Sequence, residues 1–121
     1  MVRQTIKILI VGMLFLSSCY YDVESVLYPP STCVTTNMRY VTDINPIIET
    51  NCLVCHSAAA NLGNITLEGY SNLIKQVNNG QLLGAIKHQP GFIAMPQGAA
   101  QLGSCDIAKI EQWITDGAQN N

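Results

Sequence analysis

Apolar residues follow two regimes along the chain. Near the N-terminus they run together, from Ile8 to Leu16 with only Gly12 between them. Beyond Val41 they recur at spacings of three and four, the signature of helices with one buried face. Ile44, Ile47 and Ile48 predict a first helix. Thr42 or Asp43 serves as its cap, and Pro46 lies in its first turn, where a missing N–H costs little. Leu67, Tyr70, Leu73, Ile74 and Val77 predict a second helix that stops at Asn78-Asn79-Gly80. Gln81 to His88 reads as a short third helix with Leu82, Leu83 and Ile86 inward. The last opens at Ser104 or Asp106, carries Ile107, Ile110, Trp113 and Ile114, and ends at Gly117. Ala58–Asn64 and the Pro- and Gly-containing stretch Pro90–Gly98 read as loops. No segment alternates with period two and no repeat is visible, so the expected fold class is all-α.

The N-terminal run changes the picture of the rest. Arg3 and Lys7 precede it and Ser17-Ser18-Cys19 follow, the order of a secretory signal. At nine residues it is far short of the roughly 20 that a membrane-spanning helix needs. Leu16-Ser17-Ser18-Cys19 resembles the lipobox of bacterial lipoproteins. The resemblance implies cleavage before Cys19, a diacylglycerol on its thiol, and a place in the bacterial cell envelope, periplasmic or outward-facing. The expected organisation is a signal peptide at 1–18, a lipid-anchored tether at 19–40 and a domain at 41–121. Pro29-Pro30-Ser31-Thr32 and Thr35-Thr36-Asn37 suit a spacer. Tyr20, Tyr21 and Tyr28 suit either the domain surface or the bilayer interface. From Cys19 onward, four Lys and Arg face eight Asp and Glu, a net charge of −4. That balance has no footprint for nucleic acid, and a partner docking by charge would be basic.

The chemistry is concentrated in Cys52-Leu53-Val54-Cys55-His56. Two thiols three apart with a histidine directly after them form the attachment motif of a c-type haem. The thiols reach the two vinyl groups of one porphyrin, and His56 is delivered to the iron. One covalent haem is therefore the expected cofactor, supplying much of the core of a small domain. Met95 is the expected second axial ligand, since a thioether favours ferrous iron and Pro96 biases it to an extended backbone. Met95 as a gap-filling residue is the plainer alternative. His88, the only other histidine, is either the rival ligand or a solvated surface residue. Met38 precedes the domain and is a poorer candidate. Once Cys19, Cys52 and Cys55 are assigned, Cys33 and Cys105 remain. An even remainder in an exported chain suggests a disulfide, with two free thiols as the alternative.

One CxxCH after an amphipathic helix, a Met-Pro loop 39 residues beyond His56, and a closing helix with Trp113 resemble a small class I c-type cytochrome. The resemblance spans about the last 80 residues. It implies a helical domain wrapped around one haem, with Ile44, Ile47 and Ile48 of the first helix meeting Ile110, Trp113 and Ile114 of the last. It further implies electron transfer between redox partner proteins rather than an enzyme. The Gly and aromatic residue common in that family's first helix are missing from the predicted helix, and a Cys33–Cys105 pair is not part of the general pattern. Two other functions compete: a haem enzyme or sensor with an open sixth site for peroxide or a gas, and a haem-free zinc site built from Cys52, Cys55, His56 and one of Cys33 or Cys105.

Overall fold

A computed structural model describes residues 32–121. The signal at 1–18, the lipid site Cys19 and the tether as far as Ser31 lie outside the described residues. Those described are helical, with no strand among them, in keeping with the all-α expectation. None of their helices is long and apolar enough to cross a membrane.

Helical structure begins earlier than the apolar pattern suggests. A turn of π-helix occupies Tyr40–Ile44 and leads into α1 (Asn45–Asn51) and α2 (Leu53–His56). A 3₁₀ turn at Leu62–Asn64 precedes α3 (Tyr70–Asn78), α4 (Gln81–Ile86) and α5 (Ser104–Thr115). Thr42 and Asp43, expected as the cap, lie inside the π turn instead. The Asp43 carboxylate reaches back to accept the Arg39 N–H at 2.9 Å, and the Thr42 hydroxyl donates to the same oxygen at 2.9 Å. These bonds, the Arg39 amide foremost, hold the Asp43 carboxyl below its usual range. Pro46 does fall in the first turn of α1. The second helix starts at Tyr70, leaving Leu67 buried in the segment before it, and the third stops two residues short of His88.

The early start brings Tyr40 into the first helical segment, which had seemed to lack an aromatic residue. Tyr40 is buried, with its ring centroid 5.2 Å from Tyr70 and 5.9 Å from Trp113. Tyr70 meets Trp113 edge-on at 6.5 Å, closing a cluster of three. Ile44, Ile47, Ile48, Leu73, Ile110 and Met38 complete the buried core around it, with Ile114 packed at its margin. The expected apolar faces of the first and last helices thus share one core, joined chiefly where the π turn packs on α5. Packing also reaches upstream of Val41, since Met38 and Tyr40 are both buried. Among the described residues, the chain's own side chains thus form one buried apolar cluster.

The segment after α5 folds back over this cluster. Tyr70 Oη donates to the Ala118 carbonyl at 2.9 Å and Trp113 Nε1 to that of Gln119 at 3.0 Å. The Tyr40 and Val41 N–H groups donate to the side chain and backbone of Asn121. Cys33 and Cys105 form a disulfide, with Cα atoms 5.6 Å apart, that fastens the incoming chain to the first turn of α5. Their separation of 72 residues makes this a long covalent loop. Replacing both cysteines with serine is expected to lower the unfolding free energy by about 4 kcal/mol in the chain-entropy model. Guanidinium unfolding of the variant measures it, and an unchanged midpoint would show that the aromatic cluster alone holds the two ends.

Candidate haem site

Cys52 ends α1, and α2 is a single turn that carries Cys55 and His56. The Cys52 carbonyl accepts N–H bonds from both Cys55, at 3.2 Å, and His56, at 2.9 Å. One carbonyl thus gathers all three residues of the motif onto one turn. Both thiols are free, Cys52 half-buried and Cys55 exposed. Burial pushes the Cys52 thiol up to about 11, because an apolar environment disfavours thiolate.

The ring of His56 is oriented by the loop that follows it. Its Nδ1 lies 3.1 Å from the Ile65 carbonyl oxygen. A carbonyl can only accept, so Nδ1 is the donor, and in the neutral ring that leaves the lone pair on Nε2. The Leu67 N–H donates to the His56 carbonyl at 2.8 Å, so segment 65–67 holds both the ring and the backbone of the same residue. The loop is closed by its own side chains: Thr66 Oγ1 donates to Asn61 Oδ1, and the Ala58 N–H to Glu68 Oε2 at 2.7 Å. Ala58–Asn64, read from sequence as a loop, is the span that brings Ile65 to His56.

Met95 is half-buried on a different element. Its N–H donates to the Ala85 carbonyl of α4 at 3.1 Å. Its own carbonyl accepts from His88 Nε2 at 3.0 Å. The structure therefore ties His56 to segment 65–67 and Met95 to α4 and His88. Met38 is buried in the core. Cys33 and Cys105 are consumed by their disulfide, so neither remains to complete the zinc set with Cys52, Cys55 and His56. Among the described residues, no three His, Cys, Asp or Glu side chains gather as a metal site.

The donor set suits a covalent haem. Two unpaired thiols sit on one turn, an imidazole offers Nε2 beside them, and a thioether lies in the Pro-containing loop. Reading side-chain types missed the partners that aim these groups. The carbonyls of Ile65 and Ala85 have no side-chain signature, and only His88 carried a visible signal, as the second histidine.

In the cofactor-free chain at pH 8, iodoacetamide is expected to modify Cys55 at least about ten-fold faster than Cys52, since the thiolate is the nucleophile; peptide mass mapping reads the order. The same shift sets a pH dependence. A thiol raised from 9.0 to about 11 stabilises the cofactor-free fold below pH 9, and that contribution is lost as pH rises through about 11. Compared with protein-family models, with curated proteins and with solved structures, the chain matches none.

Proposed function

We propose that this chain is a monohaem c-type cytochrome, anchored to a membrane through lipid on Cys19, that transfers electrons between partner proteins and is not an enzyme. The observation that carries the reading is the His56 ring bond to Ile65, which leaves Nε2 free beside two unpaired thiols. A structural histidine can make the same bond, and it is the two unpaired thiols on the same turn that point to a ligand. A metal-ligating histidine commonly makes such a bond, since donation from the other ring nitrogen raises the basicity of the ligating one.

In this reading Cys52 and Cys55 would hold the haem through thioethers, and His56 and Met95 would bind its iron. Bound haem supplies a one-electron iron couple. The residues do the rest. Segment 65–67 keeps the imidazole in one tautomer and orientation. The Met95 thioether raises the reduction potential relative to a second imidazole. Were His56 and Met95 both to hold the iron, the protein would offer no open position to a substrate. Large apolar side chains left in the open support the assignment. Val54, between the two thiols, is 80% exposed; Ile93, two residues before Met95, is 68% exposed; Leu62, in the loop after His56, is 56% exposed. Val34 and Val41 are also exposed, away from these segments, so the three support the assignment only by their place beside the ligands. The net charge of −4 beyond the signal favours basic partners.

The test is an absorption spectrum, in both oxidation states, of protein made in a host competent in cytochrome maturation, with the mass taken after denaturation. Covalent haem and a sulfur-to-iron charge-transfer band are expected. Colourless, compact protein would sink the proposal. Met95→Ala should abolish the band, lower the potential and open the ferrous protein to carbon monoxide. If potential and carbon monoxide binding are both unchanged, Met95 is not a ligand.

A further inference from the structure

The Met95 loop is closed on itself in a way that the ligand assignment alone does not require. The Ala85 carbonyl accepts the His88 N–H at 3.2 Å and the Met95 N–H at 3.1 Å, so the excursion from 88 to 95 begins and ends on one oxygen. Gln89 donates back to the Gly84 carbonyl at 3.0 Å, and Phe92 to that of Gln89 at 3.2 Å. The Phe92 ring lies so close over Gly84 that a Cβ there would come within 2.5 Å of it. His88 leaves α4 with φ +50, the left-handed region that residues other than glycine seldom adopt. In that conformation its Nε2 lies 3.0 Å from the Met95 carbonyl. The acceptor is a carbonyl, so Nε2 carries a proton and donates.

We propose that His88 is a positioning residue for the sixth ligand: its Nε2–H, donated to the Met95 carbonyl, holds the loop that presents the Met95 sulfur. The proposal rests on the reading of Met95 as an axial ligand. A methionine side chain has three rotatable bonds, so its sulfur is placed only as well as its backbone is held. The Ala85 bond fixes the N–H of Met95, and the His88 bond fixes its carbonyl. Without the second, the peptide group after Met95 can turn, and the sulfur spends more time away from the metal.

The test compares wild-type holoprotein with His88→Ala, His88→Gly and His88→Gln by the ferric sulfur-to-iron band and the rate of carbon monoxide binding to the ferrous form. Losing one hydrogen bond is expected to speed carbon monoxide binding by roughly three- to ten-fold in His88→Ala, with a weakened band. His88→Gly, which fits a left-handed backbone but has no donor, should match His88→Ala. His88→Gln, whose amide N–H can take the place of Nε2–H, should return the rate to within about two-fold of wild type. Three variants all like wild type would overturn the clamp while leaving Met95 as ligand. So would His88→Gly alone behaving as wild type, or His88→Gln failing as badly as His88→Ala. A wild-type holoprotein without the band overturns the Met95 reading itself, and the clamp with it.

Discussion

The bond from the His56 ring to the Ile65 carbonyl decides what the Cys52–His56 turn can do. Its net contribution to stability is only about 1 kcal/mol, but its chemical consequence is larger. In the neutral ring it selects the tautomer, so the nitrogen left over is a lone pair and not a donor. Leu67 donates to the same residue's carbonyl, and its side chain is buried in the core. The orientation of the imidazole is therefore inherited from packing: the core fixes Leu67, the segment ending in Leu67 fixes Ile65, and Ile65 fixes the ring.

The core that does this is unusually dependent on aromatic residues with polar ends. Tyr40, Tyr70 and Trp113 each place a donor at the edge of the cluster, and each donor is used, two of them by carbonyls of the segment after α5. No buried side-chain nitrogen or oxygen among the described residues lacks a partner. Burying such rings without those acceptors would cost about 1–3 kcal/mol per orphaned group. The segment after α5 is thus a structural requirement of the aromatic cluster. By contrast Leu53, Ile65 and Leu83 stay only partly covered at the margin of the core. The chain finishes one part of its interior and leaves apolar surface near the residues that would hold a cofactor.

How much of this was legible in the sequence depended on whether side chains carried the signal. The helices at Tyr70–Asn78 and Ser104–Thr115 were readable because an apolar period ends in a glycine, Gly80 in one case and Gly117 in the other. The Cys33–Cys105 bond was readable by elimination. The start of the first helix was not, because an aspartate that caps from inside a π turn looks the same in sequence as one that caps from outside an α-helix. That displacement hid Tyr40 from the core. The motif Cys52–His56 and the loop methionine were plain, yet what aims them was not: the two decisive acceptors are main-chain carbonyls, at Ile65 and Ala85, and any residue provides one. His88 was visible as a second histidine, but its contact with the Met95 carbonyl depends on a positive φ that no local pattern announces.

The two proposed ligands are consequently held by unequal means. His56 is bracketed by a segment that plugs into the core through Leu67. Met95 depends on where α4 sits, since Ala85 belongs to that helix. The Lys87–Glu111 pair that links α4 to α5 is at 2.7 Å, but both groups are partly solvated, and such a pair is worth roughly 0–1 kcal/mol. Burial of Leu82 and Ile86, on the order of 1.5–3 kcal/mol each, is the stronger restraint. A change that trims either apolar side chain would move Ala85 and so Met95 without touching the loop, whereas the orientation of His56, fixed through Leu67, would be spared. The methionine side of the site is where this architecture lets the position of a ligand be tuned from a distance.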